Sequence, residues 1–414
     1  MDLNFDIGIV GSGPAGYTAA LHARRKGLSV VLFEKEQLGG VCLNRGCIPT
    51  KAILRSVEVY EDIMQSETFG IKVLGAEADF EKIMERKNQI VSKLRKGLEL
   101  SLKNSGVNIV FAEAQVIDKN SIKADNNLYK CSKIVVATGS EPKQLKGLEF
   151  DHEFVLNSDD ILCLEKLPED VVIIGSGAIG IEWARIFSGL GVNVSIIELA
   201  QNLLPIADIE VSKRIERIFK AKKIKIYKGV SVDRIDKAGS KVFLSNGEAI
   251  ESQIVLSAVG RHVSDYQKID GVEYIGDITK EIQLAHFASK QAIEVIDGVP
   301  FNKKFVPSVV YGNPEIAWIG EREQDLEPDT YKKSMMLISA LGKSQCDGAV
   351  DGFIKILVQN NDIVGVHIVS KEASAMIQQV GIAMQNGLTV DRLKEVCFAH
   401  PTYSEGIFDS LFNL

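Results

Sequence analysis

The sequence predicts an α/β fold of two parallel-sheet units followed by a C-terminal α+β domain, and three observations carry that expectation. Residues 5–34 and 170–198 repeat one order of apolar strand, glycine turn, helix and second apolar strand ending in glutamate. A turn-rich stretch, Ser140–Leu145, lies between them. Beyond about residue 300 the pattern changes to paired strands and an amphipathic helix.

The first stretch reads FDIGIVGSGPAGYTAALHARRKGLSVVLFEK. Phe5–Val10 is a buried strand by its apolar run; a helical pattern then reaches Lys26, Gly27 stops it, and a second strand ends at Glu34. Gly11 permits the tight turn, Gly13 lets the backbone approach a pyrophosphate, and Gly16 lets helix and strand pack closely. The free N–H groups at the helix start suit phosphate, and Glu34 suits a ribose. The second stretch repeats the plan with Gly175, Gly177, Gly180 and Glu198, and the span from first glycine to glutamate is 23 residues in both. One such motif is a weak signal. Two, in matching strand–helix–strand contexts, predict two Rossmann-type units and two dinucleotides. Glu198 favours a free 2′-hydroxyl over a 2′-phosphate, and Leu199–Pro205 contains no Arg or Lys, so NAD is expected over NADP.

Between the first unit and the rest stands GVCLNRGCIPTKAI, with Cys42 and Cys47 five residues apart. On a regular helix that is about 7.5 Å of rise, beyond the usual span of a disulfide, so a bond between them needs a distorted turn, which Gly46 can supply. Such a bond would be strained and easily reduced, hence catalytic. A zinc site is disfavoured because no second Cys/His pair of suitable spacing lies nearby. Cys131, Cys163, Cys346 and Cys397 stand alone and are expected to be buried or inert thiols. Of six histidines, His400 in CFAHPTYSEGIF is the candidate base: imidazole titrates where thiol chemistry needs it, and Glu405 can orient the ring. His400–Pro401 is a candidate cis peptide. His22 and His152 are expected in solvent, and His367 packed in a strand.

Bulk composition narrows the remaining classes. The 414 residues are 45% hydrophobic and 25% charged, with a net charge of −7 and no basic face or tract, so nucleic acid is an unexpected partner. No apolar run approaches the ~18 residues of a membrane span. The N-terminus has no signal-peptide pattern, so the expected compartment is the reducing cytoplasm.

Along nearly its whole length the sequence resembles the FAD-dependent pyridine nucleotide–disulfide oxidoreductases. The marks are GSGPAG, GGVCLNRGCIPTKAIL, IVVATGS, GSGAIGIEWA, YIGDI, QLAHFA, PSVVYGNPEIAWIG and HPTYSE. The form CLNRGCIP is closer to the lipoamide dehydrogenases of that family than to its glutathione reductases, and Glu198 agrees.

The resemblance implies oxidation of protein-bound dihydrolipoamide to lipoamide through a Cys42–Cys47 disulfide and FAD, with NAD as hydride acceptor. Cys47 would face the flavin as charge-transfer thiolate, and Cys42 would be the interchange thiol exposed to substrate. Lys51 and Glu182 would pair beside the flavin ring. Gly11, Gly13, Pro14, Ala15, Gly16, Glu34, Lys35, Gly40, Ala114, Thr138 and Gly139 would hold FAD, with Asp277, Leu284, Ala285 and His286 continuing that contact. Gly175, Gly177, Ile179, Gly180, Glu198, Val230 and Gly260 would hold NAD. His400 and Glu405 would act from the partner subunit of a homodimer. The lipoyl group would be borne by a carrier protein of a 2-oxo-acid dehydrogenase or glycine cleavage complex.

The expected layout is an FAD domain at 1–142 and 263–299, an NAD domain at 143–262 and an interface domain at 300–414. Arg261 and Asp277 are only 16 residues apart, where the family has a markedly longer segment. Two other readings stay open: a related NAD(P)H-dependent reductase of another disulfide, and a non-catalytic FAD-binding module.

Overall fold

The computed structural model describes residues 3–414. They divide into two units: residues 1–52, 81–143 and 260–301 form one, and 53–80, 144–259 and 302–414 the other. Residues 53–80 thus cluster with the second unit rather than with the first domain expected above.

The first unit is built on a seven-stranded sheet. Asn4–Val10 lies between Val30–Glu34 and Asn127–Val136, parallel to both, and Asn108–Phe111 extends the parallel part. Ser121–Ala124 and Ala114–Asp118 continue it as an antiparallel meander. Parallel strands covered on both faces read as unbroken apolar runs, and Val30–Glu34 is buried at every position. Helices Pro14–Arg25 and Ala285–Asp297 pack together, with Ala15, Ala19, Ala20 and Ala23 against Ala288 and Ala292. Small side chains let their backbones approach closely.

The short segment after Arg261 still contributes structure. Arg261–His262 pairs with Glu141–Pro142, and Glu273–Tyr274 pairs with the end of Asn127–Val136. Tyr266 stacks on Tyr274 at 5.1 Å between ring centroids and donates its hydroxyl to Ile278 O, while Val263 and Ile278 are buried beneath.

The second unit carries a parallel five-stranded sheet in the order Lys225–Lys228, Asn193–Glu198, Asp170–Ile174, Ile254–Ser257, Val155–Leu156. A three-stranded meander joins it. The unit also holds an antiparallel five-stranded sheet in the order Ser308–Val310, Glu315–Gly320, Asp362–Ser370, Phe353–Gln359, Lys332–Leu337. The helix Ala373–Gln385 covers that sheet with Met376, Ile377, Val380 and Met384. The expected hairpin turns at Asn360 and Asn361, both left-handed.

A charged network lies inside this apolar unit. Lys355, fully buried, donates to Asp208 at 2.7 Å and to Glu323 at 2.5 Å. Asp208 also caps the helix Ile209–Ala221 through Glu210 N–H and accepts Glu323 N–H. His367 is packed in its strand as expected, but against this network: its Nε2–H donates to Glu321 O at 3.0 Å and lies 3.7 Å from Asp208. Burial pushes its pKa down to about 4.

Candidate active site

The two glycine turns superimpose in their chemistry. Gly11 and Gly175 have φ of +96° and +97°, and a side chain on either would strike the carbonyl of Ala137 or Ala258. A Cβ on Gly16 or Gly180 would lie 1.8 or 2.0 Å from the oxygen of that first glycine, so only glycine allows the helix to sit this close. Pro14 occupies the first turn of its helix, where a missing N–H costs nothing. Gly13 and Gly177 precede the two helices without a side-chain cap, so the first-turn N–H groups have no side chain on them and the positive helix end faces outward.

The two glutamates end their strands, buried to 9% exposure. Glu34 accepts the Ser12 N–H at 3.1 Å, the Ser12 hydroxyl at 2.5 Å and the Glu36 N–H at 2.9 Å. Glu198 accepts the Ser176 N–H at 2.8 Å, the Ser176 hydroxyl at 2.6 Å and the Ala200 N–H at 2.8 Å. Val230 reaches the second turn through a backbone bond to Glu198 O. An uncapped helix start, a bare glycine cradle and an oriented carboxylate are the parts a dinucleotide requires, and both turns have them.

Further along the first unit, Asp277 sits in the turn Gly276–Thr279, and Gly276 packs against Ala15 of the first helix. The Ser140 hydroxyl donates to Asp277 at 2.6 Å and accepts Arg261 Nε–H at 2.7 Å, while Arg261 also donates to Ser140 O. This bracket ties Asp277 to Ser140, which follows Thr138 and Gly139 in the chain. Leu284 precedes the helix that begins at Ala285, with His286 exposed in its first turn. Ala114 is half-buried in the meander and Lys35 is exposed. Gly260, grouped with NAD from the sequence, lies in the first unit, where its carbonyl accepts Lys143 N–H.

Gly40 connects the first turn to the cysteines. A Cβ on Gly40 would meet Gly13 Cα at 2.6 Å, so the two backbones touch. A short helix, Gly40–Arg45, carries Cys42; Gly46 breaks it at φ −149°, ψ −110°; Cys47 then begins the helix Cys47–Met64. The distorted turn expected at Gly46 is therefore present, with Thr50 donating to Gly46 O. The side chains of Cys42 and Cys47 are hydrogen-bonded to each other. That bond is the largest cause raising the Cys42 pKa; burial adds to it, and Lys51, one turn past Cys47, works against it. Tyr17 lies close enough to feel both sulfurs, and burial chiefly raises its pKa. Cys47 is exposed and Cys42 half-buried, the reverse of an interchange thiol that is the more open of the two in the chain itself.

In the second unit, Glu182 is 5% exposed on the helix Ala178–Gly189 and accepts the N–H of Tyr311 at 3.0 Å. One turn on, Arg185 is buried, and its three guanidinium nitrogens have no hydrogen-bond partner among the described residues; burial lowers its pKa to about 10, opposed by the charges of Glu61 and Glu182. His400 Nδ1 lies 2.7 Å from Glu405 Oε1, and the other oxygen of Glu405 accepts Thr402 N–H at 2.8 Å. The intervening His400–Pro401 peptide is cis, as is Asn313–Pro314, which was not foreseen. The Thr402 N–H and then His400 lower the Glu405 pKa. The imidazole is 78% exposed, so its own unit leaves its far nitrogen open.

Three things escaped the sequence reading. Ser140 and Arg261 are 121 residues apart, and only the adjacent ATGS and GR patterns mark them. Tyr17, in the first helix, belongs to no motif that would place it near the cysteines. His22, expected in solvent, pairs with Asp297 at 2.8 Å. Of the four lone cysteines, Cys131 alone is buried, while Cys163, Cys346 and Cys397 are exposed.

Comparison with known proteins adds the lineage. Residues 5–281 match the family model of pyridine nucleotide-disulphide oxidoreductases, and 306–410 match that family's dimerisation domain. Dihydrolipoyl dehydrogenase of Bacillus subtilis is 32% identical over 460 aligned residues, covering 98% of this chain and 97% of that protein. The Mycoplasma pneumoniae enzyme of the same name is also 32% identical, covering 98% of each. Among solved structures, LpdA from Mycobacterium tuberculosis shares the fold with a TM-score of 0.91 at 22% identity, covering 98% of this chain and 99% of that one. The HOCl-induced flavoprotein disulfide reductase RclA from Escherichia coli gives 0.86 at 24%, covering 98% and 99%. Among the described residues no helix is long and apolar enough to cross a membrane. The chain therefore belongs to the pyridine nucleotide-disulphide oxidoreductases, and its cofactors are FAD and NAD.

Proposed function

We propose that this chain oxidises protein-bound dihydrolipoamide to lipoamide and reduces NAD; its Bacillus and Mycoplasma relatives are named dihydrolipoyl dehydrogenases. The observation that carries the reading is the Cys42–Cys47 thiol pair at a broken helix, with Lys51 one turn on and its leading Gly40 pressed on the first nucleotide turn.

The residues have the following parts. In the oxidised enzyme one sulfur of dihydrolipoamide attacks Cys42 Sγ; the Cys42–Cys47 bond breaks and its electron pair stays on Cys47. His400 of the partner subunit takes the thiol proton. The imidazole suits this because a carboxylate bonded to one ring nitrogen steadies the charge gained at the other. The second substrate sulfur then attacks the mixed disulfide, releasing lipoamide and leaving Cys42 reduced. The hydrogen bond to Cys47 raises the Cys42 pKa, which favours Cys42 as the sulfur that keeps its proton. Cys47 is exposed, as a sulfur that meets a flavin must be, and Lys51 and Glu182 are the charged residues assigned to the flavin ring. FAD, held by the residues assigned to it below, would supply the two-electron chemistry that links the dithiol to NAD. The balance is dithiol plus NAD⁺ giving disulfide, NADH and a proton.

Gly11, Gly13, Pro14, Ala15, Gly16, Glu34 and Asp277 are assigned to FAD; Gly175, Gly177, Gly180, Glu198 and Val230 to NAD. The dimerisation domain supports a homodimer in which each His400 serves the other chain. A lipoyl-bearing carrier protein is the proposed substrate vehicle. A reducing compartment such as the cytoplasm suits exposed Cys163, Cys346 and Cys397.

Purified FAD-loaded protein should form NADH from dihydrolipoamide and NAD, and Cys42→Ser should abolish this while retaining FAD. Turnover of a different disulfide alone would move the chain to another reductase of the family. Bound FAD with no thiol turnover of any kind would make it a binding module.

A further inference from the structure

Each nucleotide turn contains a serine whose hydroxyl is wholly committed. In the second turn, Ser176 has no exposed surface. Its hydroxyl donates to Glu198 Oε2 and accepts Leu204 N–H at 3.1 Å. In the first turn, Ser12 is equally buried, donates to Glu34 Oε2 and accepts Gly39 N–H at 3.2 Å. The two arrangements match bond for bond, although they lie 164 positions apart in the chain. Neither serine is one of the glycines or acids that a dinucleotide motif demands.

A carboxylate offers about four acceptor positions. On Glu198 the two of Oε2 are filled by the N–H and O–H of Ser176, and one of Oε1 is filled by Ala200 N–H. One position on Oε1 remains. The carboxylate cannot swing to take a second group, and it cannot turn aside to admit an anion.

We propose that Ser176 is a specificity-determining residue: by clamping Glu198 in one rotamer it fixes the preference for a dinucleotide with a free 2′-hydroxyl over one with a 2′-phosphate, and Ser12 holds Glu34 for the resident flavin nucleotide in the same way. Without the clamp, Glu198 gains rotamers that withdraw its charge from the ribose. Affinity for NADH then falls and the penalty on NADPH shrinks. The proposal rests on the second turn being the NAD site, not on the identity of the thiol substrate.

Ser176→Ala is a clean test because Leu204 N–H also donates to Ser176 O at 3.1 Å, so that N–H keeps a partner when the hydroxyl is gone. The Leu204 N–H loses one of two acceptors, and the change that reaches the carboxylate is loss of the O–H···Oε2 bond, a charge-assisted bond whose removal costs on the order of tenfold in binding. The measurement is calorimetric titration of FAD-loaded protein with NADH and with NADPH, which needs no turnover. The expected result is about tenfold weaker NADH binding in Ser176→Ala, with NADPH unchanged or tighter. In a Glu198→Ala background the same serine change should have no further effect, because the two residues act as one unit. An unaltered NADH-to-NADPH ratio in Ser176→Ala would overturn the proposal, whatever happens to thermal stability. So would an equal loss in the Glu198→Ala background. Failure of both nucleotides to bind the wild-type protein would instead overturn the placement of NAD.

Discussion

The two nucleotide turns share their glycines, their clamped glutamates and their spacing, and differ on one side. In the first, Gly13 is pressed against Gly40, which leads straight into the segment carrying Cys42 and Cys47. In the second, a Cβ on the corresponding Gly177 would meet nothing within 4 Å. One turn is built into the redox centre and the other is open on that side. The contrast suits a flavin that stays and a nicotinamide nucleotide that comes and goes. Identical motifs thus acquire different duties from what packs on them.

Alanine at these two glycines breaks or sharpens the comparison most strongly. Gly40→Ala forces a methyl into Gly13 at a left-handed position, and the expected outcome is loss of FAD from the purified protein, read by its visible spectrum. Gly177→Ala should keep FAD and an unchanged Tm while weakening NAD binding. Equal FAD retention in both variants would dissolve the distinction.

Next in size is His400→Gln. It should lower dihydrolipoamide oxidation by about 10²–10⁴-fold, the range for a lost general base. It should leave reduction of the flavin by NADH within a few-fold of normal. A matching loss in the NADH half-reaction would remove His400 from the thiol side.

Part of this design is legible in sequence because it is local. The glycine–glutamate spacing, the Cys42–Cys47 pair with Gly46 between them, and the His400–Glu405 pair each lie within about two dozen residues and carry a chemical reason. The unread parts are contacts between distant segments. Ser140, Arg261 and Asp277 meet only when three strand ends converge. Lys355 lies in the apolar run GFIKILV, and nothing in that run marks a partner for it. It is fully buried against Asp208, 147 residues away. The clamping serines hid in plain view, because a serine between two glycines reads as a turn residue until its hydroxyl is seen on the acid.

The buried network provides a smaller test. His367 faces Asp208, with Lys355 and Arg322 nearby, and burial holds its pKa at about 4 against an ordinary value of about 6.5. The unfolded chain binds the extra proton first. Stability is therefore lost as pH falls through the window from about 6.5 to about 4, at up to about 1.4 kcal/mol per pH unit. His367→Gln should flatten the stability curve in that window, measured by urea unfolding. A curve parallel to wild type would exclude the histidine as its source.

The smallest expected effect is at Arg185, whose buried guanidinium has no hydrogen-bond partner among the described residues. Burying an unpaired charge is costly. Arg185→Met should therefore leave Tm unchanged or raise it by a few degrees in a thermal scan. A clear fall in Tm would show that its attraction to Glu61 and Glu182 outweighs its burial.

The central claim is that Cys47, at the head of its helix, is the sulfur that meets the flavin, and Cys42 the one that meets substrate. Anaerobic titration of FAD-loaded protein with NADH, followed by visible absorption, tests it most directly. At two-electron reduction a long-wavelength thiolate–flavin band should grow in for the wild-type protein. Cys42→Ser, which has no disulfide to reduce, should show the band before NADH is added and lose it as the flavin is reduced, and Cys47→Ser should show none. A band that survives in Cys47→Ser, or none in the wild-type protein, would contradict the account.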